Sequence, residues 1–279
     1  MKISLDIQKS AQENADFYYK KAKKAKKKIS GVEKALQETI RKIEELKKGK
    51  LNEEEVILKK RTSFVEKKWY EKFRYFFSSD NFLVIGGKDA TSNEVIIKKY
   101  LEKNDLVFHA DIQGAPFFVI KNTEKREIPN NTKLETAEVA ASYSKAWSFG
   151  FGNCDVYSVR PEQISKKAPS GEYLSKGSFM IYGKKEWFKK VELKLAIGVS
   201  IKEDKIKVYG GPINSIELRC KYFAIIKPGN KKSKELAQEI KKFILRKANK
   251  EDGKKIKEEI NLDEFQRWIP SGRGMLISN

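Results

Sequence analysis

One histidine, His109, and two cysteines, Cys154 and Cys220, are all that 279 residues offer of the side chains that most often bind transition metals. A single imidazole excludes zinc sites built on several histidines and the HExxH pattern of metalloproteases, and cysteines this far apart form no CxxC ligand pair. Two thiols also fall short of a disulfide framework; they suit a reducing, cytoplasmic setting in which both are buried. No apolar run approaches the roughly 18 residues of a membrane span, and the first ten residues lack the apolar centre of a signal peptide. There is no Walker A sequence. Nothing in the residues calls for a metal or a cofactor.

Acidic residues are the other shortage. Thirty-eight Asp and Glu face 59 Lys and Arg, a net charge of +21 at pH 7, and the mean hydropathy is −0.63. An excess of this size says little about fold, but it attracts polyanions and steers their encounter. It is spread along the chain: residues 1–68 hold 20 basic and 11 acidic residues, for +9, and the remainder 39 and 27, for +12. A membrane surface would want basic residues opposite a free apolar stripe with bulky anchors. Nucleic acid is the partner this distribution favours, while part of the lysine also fits a heat-adapted surface.

Up to residue 68 the apolar pattern has one period. Ala11, Ala15, Tyr18, Ala22, Ala25, Ile29, Val32, Leu36, Thr39, Ile43 and Leu46 step alternately by four and three, the 3.5-residue repeat that keeps one stripe facing a partner helix. Gly49 ends that helix. Asn52, followed by Glu53, Glu54 and Glu55, caps a second one that shows Leu58, Thr62, Val65, Trp69, Phe73 and Phe76 at helical spacing. The short polar turn between them predicts an antiparallel coiled-coil hairpin over residues 1–68.

From residue 69 to 190 the periodicity changes to that of a mixed-sheet α+β domain. Strands are predicted at 82–85, 106–108, 117–120, 156–159 and 179–182. Two S/T-x-x-E sequences, beginning at Thr91 and Thr132, open helices, the second running to about Trp147. Residues 191–279 read as a small C-terminal α+β extension. Its strands are expected at 193–199, 205–209, 218–226 and near 275–277, with a lysine-rich helix over 233–248 and an apolar segment over 262–268.

Two polar constellations stand out. Gly86, Gly87, Lys88 and Asp89 join a strand to a helix; the pair of glycines either cradles a phosphate with free backbone N–H groups or makes a tight turn and no more. His109, Ala110 and Asp111, with Gln113 and Gly114, form the exit of an apolar strand. The imidazole there either stacks on a base or bonds phosphate, or is a turn histidine paired with Asp111. A Cys154–His109 nucleophile pair is formally available but lacks the flanking features of one. Trp69, Tyr70, Phe73 and Tyr75 read as core, as does Trp147, with Lys145 exposed.

Longer runs carry a resemblance. Residues 68–74 (KWYEKFR), Ser79 and Asp80, residues 84–90 (VIGGKDA) with Asn93 and Glu94, His109 to Asp111 with Gly114 and Ala115, residues 143–147 (YSKAW), 168–173 (APSGEY) and 177–181 (GSFMI) follow one another as in the NFACT-R domain. Residues 8–15 (QKSAQENA) resemble the start of the middle coiled coil of the same family, and 268–274 (WIPSGRG) the tail of its archaeal members. The chain is thus similar to the NFACT family of NEMF- and RqcH-like ribosome quality-control factors.

The resemblance implies a protein that binds RNA and catalyses nothing. Its partners would be tRNA, rRNA and the large ribosomal subunit obstructed by peptidyl-tRNA, with the coiled coil reaching a protein at the stalk base and no membrane contact. The helix-hairpin-helix NFACT-N domain, which carries the Asp–Arg pair associated with tRNA handling, is expected to be missing, the chain being a fragment or a separate half. Binding without tail synthesis follows. The expected RNA contacts are Arg74, Gly86, Gly87, Lys88, Asn93, Lys98, His109, Asp111, Gln113, Lys145, Ser170 and Lys176. Two alternatives stand beside this reading: an RNA-processing or RNA-modifying enzyme centred on His109 and Asp111, and a protein-interaction scaffold.

Overall fold

The computed structural model describes residues 10–47, 68–167, 174–202, 205–270 and 273–277. The chain divides into two compact units, Met1–Lys67 and Lys68–Asn279. In the first, the 3.5-residue repeat forms one long helix, α1 (Ala11–Lys47). Its start is fixed by a reciprocal cap: Ser10 Oγ accepts from the Glu13 N–H at 3.2 Å, and the Glu13 carboxylate accepts from the Ser10 N–H at 2.9 Å. The seam residues Ile29, Val32 and Leu36 are exposed. The partner helix expected over 51–68 lies outside the described residues up to 67. Beyond that point its apolar spacing does not continue as a helix. Trp69–Lys72 is one 3-10 turn and Arg74–Phe77 is a strand, because Tyr75 and Phe76 bury themselves by pairing with a neighbouring strand.

The second unit is built on a six-stranded sheet of β1 (Arg74–Phe77), β2 (Leu83–Gly86), β3 (Leu106–Ala110), β4 (Phe117–Ile120), β5 (Asn153–Val159) and β8 (Glu186–Glu192), in the order β1-β2-β4-β3-β5-β8. Every pairing is antiparallel, which corrects the expectation of a mixed sheet. Turns of five or six residues join β1 to β2 and β3 to β4, too short for a parallel crossover. The strand expected over 179–182 shrinks to the two-residue β7 (Met180–Ile181), paired with β6 (Ile164–Ser165). Two helices lie before and after the central hairpin. The six-residue α2 (Ala90–Val95) runs into a π turn (Ile96–Tyr100), and α3 (Asn130–Ser142) buries an alanine-rich side comprising Ala137, Ala140 and Ala141. The helix expected to reach Trp147 breaks at Tyr143 and resumes as the single turn α4 (Lys145–Ser148), capped by Ser144.

Residues 191–279 share most of their interior with the rest of the unit, and only Ala196, Ile216 and Cys220 form a small buried cluster of their own among the described residues. Four antiparallel strands, β9 (Leu195–Lys202), β10 (Lys205–Gly211), β11 (Tyr222–Lys232) and β12 (Arg273–Ile277), stand in the order β10-β9-β11-β12. Residues 213–219, partly expected as strand, form α5 (Ile213–Arg219); α6 (Ser233–Lys247), α7 (Lys250–Glu259) and α8 (Leu262–Gln266) complete the unit. Leu193, Ile197, Ile226, Ile240 and Phe265 share one buried cluster with Val84, Phe108 and Phe118. Polar bonds stitch the same junction: Tyr143 Oη donates to the Trp268 carbonyl at 2.7 Å and Trp147 Nε1 to the Arg273 carbonyl at 2.9 Å. The boundary drawn at residue 190 therefore cuts through a continuous interior. Cys154 and Cys220 are buried and unpaired, and burial pushes the Cys220 thiol up to about 12. Among the described residues no helix is long and apolar enough to cross a membrane, and no cluster of acidic, Cys and His side chains is arranged to hold a metal ion.

Candidate nucleic-acid interface

The β2–α2 turn, the β3–β4 turn, α4 and the 175–178 turn surround a cleft of about 740 Å3. Arg74, Lys88, Asn93, His109, Gln113, Lys145 and Lys176 all line it. Its floor is set by strand register. His109 stands opposite Phe117 on β4 and Tyr157 on β5, so the three rings point to one face; Phe179 packs edge-on against Phe117 at 5.7 Å.

Among the described residues the walls hold four cations and one carboxylate. Asp89, the only acidic lining residue among those described, is committed to capping α2, accepting from the Ser92 N–H at 2.7 Å. That hydrogen bond holds its carboxyl below the usual carboxylate range. None of Arg74, Lys88, Lys145 and Lys176 makes an ion pair with a described residue. Arg74 is half-buried; its Nη1 donates to the Gly87 carbonyl at 2.7 Å and its guanidinium lies 4.5 Å from the Tyr143 ring centroid. Lys88 Nζ donates to the Lys72 carbonyl at 2.7 Å. Burial, and then the nearby Arg267 and Arg74 charges, push its ammonium below the ordinary lysine range. Four cations near one another, facing the single charge of Asp89, leave an excess of positive charge in which an anion is favoured.

The glycine turn itself does not cradle a ligand. A Cβ on Gly86 would fall 2.2 Å from the Phe118 ring, and one on Gly87 1.8 Å from Asn93 Oδ1. Asn93 is buried and accepts from the Phe117 N–H at 3.2 Å, while Gly87 N–H donates to the Phe117 carbonyl at 3.1 Å. The next two N–H groups, of Lys88 and Asp89, both donate to Ser92 Oγ. The two glycines permit close approach of strand and helix, and the charge comes from side chains. The 175–178 turn is clamped in turn on α2. Gly177, at φ +80°, sits where a Cβ would meet the Ala90 backbone at 2.6 Å, and its N–H donates to Glu94 at 3.1 Å. This fixes the loop that carries Lys176.

His109 is neutral. Burial, opposed by weaker hydrogen-bond effects, pushes it down to about 4. Since a carbonyl only accepts, Nε2 carries the proton and donates to Ala115 at 3.1 Å, leaving Nδ1 to accept from Tyr157 Oη at 3.3 Å. The pairing with Asp111 is not made, and both ring nitrogens are occupied. Asp111 is exposed outside the cleft lining. Lys98 is likewise elsewhere, bonded to Glu94 one turn back at 2.6 Å; Gly86 lies beneath Phe118, and Ser170 falls outside the described residues. Sequence reasoning missed Tyr157, Phe179 and Arg267. The first two were legible only as apolar strand residues. Arg267, whose Nη2 donates to the Glu71 carbonyl at 2.8 Å, reaches the Lys88 neighbourhood from far along the chain.

Comparison with known proteins is consistent with this arrangement. Residues 72–183 match the NFACT protein RNA binding domain, and residues 1–68 match the NFACT N-terminal and middle domains. The second match corrects the expectation that the NFACT-N region would be missing. The archaeal Rqc2 homolog aRqcH of Methanocaldococcus jannaschii is 46% identical over 179 residues, 64% of this chain and 26% of that protein. The ribosome quality control complex subunit NEMF homolog of Drosophila melanogaster is 41% identical over 204 residues, 72% of this chain and 20% of its own length. The human subunit NEMF is 37% identical over 202 residues, 71% and 18% respectively. The chain thus spans about a fifth to a quarter of these relatives. Two adjoining matches to one family's domains, in the order in which the chain carries its helix and its basic cleft, mean that this protein belongs to the NFACT family.

Proposed function

We propose that this protein is the RNA-facing part of a ribosome quality-control factor, and that it binds tRNA and rRNA on large subunits obstructed by peptidyl-tRNA. One observation carries the reading: among the described residues, four cations without ion-pair partners converge on a cleft whose one carboxylate caps a helix. Arg74, Lys88, Lys145 and Lys176 hold phosphates; Gln113 and the neutral His109 shape the floor. The names of the similar proteins support the ribosomal setting. The reading is of binding rather than catalysis, with the imidazole kept in its hydrogen bonds to Ala115 and Tyr157. The exposed seam of α1 serves as the arm toward a ribosomal protein at the stalk base, and the protein works in the cytoplasm, where ribosomes are. Sedimentation with large subunits, vacant or carrying peptidyl-tRNA, tests this across a salt series. Comigration that favours obstructed subunits and weakens steeply with salt is expected. No affinity for subunits or tRNA even at low ionic strength would refute it.

A further inference from the structure

The row of rings on the cleft floor does not stop at Tyr157. Register places Trp187 of β8 opposite Tyr157, so Phe117, His109, Tyr157 and Trp187 form a cross-strand ladder over four neighbouring strands. The ring centroids are 4.7, 5.7 and 5.3 Å apart along it. Phe117 and Tyr157 are buried and His109 half-buried, but the ladder ends on the sheet edge with Trp187 41% exposed. Trp187 and Tyr157 meet at 63°, so the two rings are not stacked face to face.

Cations attend this end. The Lys189 ammonium lies 4.0 Å from the indole centroid and that of Lys185 5.4 Å, with Lys185 also 4.0 Å from the Tyr157 ring. A register shift between Cys154 and Val156 leaves Asp155 unmatched in the ladder of backbone bonds. Its carboxylate accepts from the Lys190 N–H and from Lys189 Nζ, both at 2.8 Å, fixing the bulge beside the ring. Lysines alone would protect a sheet edge from pairing; an exposed indole among them does not serve that end. A partly exposed indole that already holds a cation over its ring, in register with the Tyr157 and His109 rings of a basic cleft, is the chemistry that receives an unpaired base and its phosphate.

Resting on the proposed RNA-binding reading, we infer that Trp187 is a stacking site for an unpaired nucleotide, making the cleft selective for single-stranded RNA over duplex. The full chain is titrated with a short oligouridylate and with a blunt RNA duplex, unaltered and as Trp187→Ala and Trp187→Phe. Trp187→Ala is expected to weaken oligouridylate binding by roughly 5- to 100-fold, the loss of one base stack, and to leave the duplex unchanged; Trp187→Phe keeps most of the affinity. An unchanged oligouridylate affinity in Trp187→Ala, an equal loss for both RNAs, or polyglutamate competing as well as oligouridylate would overturn this inference alone. An unaltered chain that binds neither RNA overturns it together with the reading beneath it.

Discussion

Replacing Lys145 and Lys176 by glutamine removes half of the cleft's cations without touching the packing, because both side chains are exposed and neither is ion-paired to a described residue. Removing one lysine–phosphate interaction makes the slope of log affinity against log salt shallower by roughly 0.7 for single strands to 0.9 for duplex. Removing both makes it shallower by about 1.4–1.8. If these interactions contribute nothing near 1 M salt, the double variant binds about 25- to 60-fold more weakly near 0.1 M. That is on the order of 1 kcal/mol per lysine, close to the Coulomb energy of a charge pair at ~4 Å in water. Fluorescence anisotropy of labelled tRNA over a potassium chloride series reads both quantities. Lys250→Gln with Lys254→Gln on α7, exposed and outside the cleft lining, subtracts the same net charge as a control. Parallel slopes for the cleft variant and the unaltered chain, or an equal loss in the control, would refute the assignment of binding to the cleft.

Two further outcomes follow from the interior. Burial pushes the Glu138 carboxyl up to about 7, and its Oε1 has no partner among the described residues. A folded-state value above the unfolded one means stability that is complete below about 4.5 and is lost as pH rises through about 7. Glu138→Gln should therefore gain on the unaltered chain by up to ~3 kcal/mol between pH 5 and 8 in urea denaturation; a pH-independent difference would contradict this. Gly87→Ala forces Asn93 off the Phe117 N–H and is expected to destabilise by about 2–4 kcal/mol, read as a lowered urea midpoint at an unchanged slope.

What sequence alone made legible follows from how local each signal is. The runs at Val84–Ile85, Val107–Phe108 and Phe117–Ile120 are buried on both faces, so apolar content marked them as strands. The amphipathic α6 announced itself by its own period. β1 was hidden because Trp69, Phe73 and Phe76 continue a helical spacing by coincidence; only the pairing of Tyr75 with Ile85 decides otherwise. β8 was hidden because an edge strand with lysines on its outer positions has no apolar alternation. In the cleft, Arg74, Lys88 and Lys145 were nameable from family-like motifs, and Lys176 from its place between two of them. Lys98 was not separable from them, since its bond to Glu94 is a matter of which side of α2 faces the cleft. The tether of Tyr143 to Trp268 spans 125 residues and leaves no trace in either segment.

That tether has a consequence for biogenesis. Tyr143, on which Arg74 stacks, has its hydroxyl anchored by residue 268, and Trp147 is anchored by residue 273. A nascent chain still lacking those positions has the sheet's strands and the four cations described in the cleft, but lacks two of the hydrogen bonds that hold its back wall. The back wall of the proposed RNA site is therefore completed late in synthesis, and a polypeptide cut short before residue 268 would carry the charges without these two anchors.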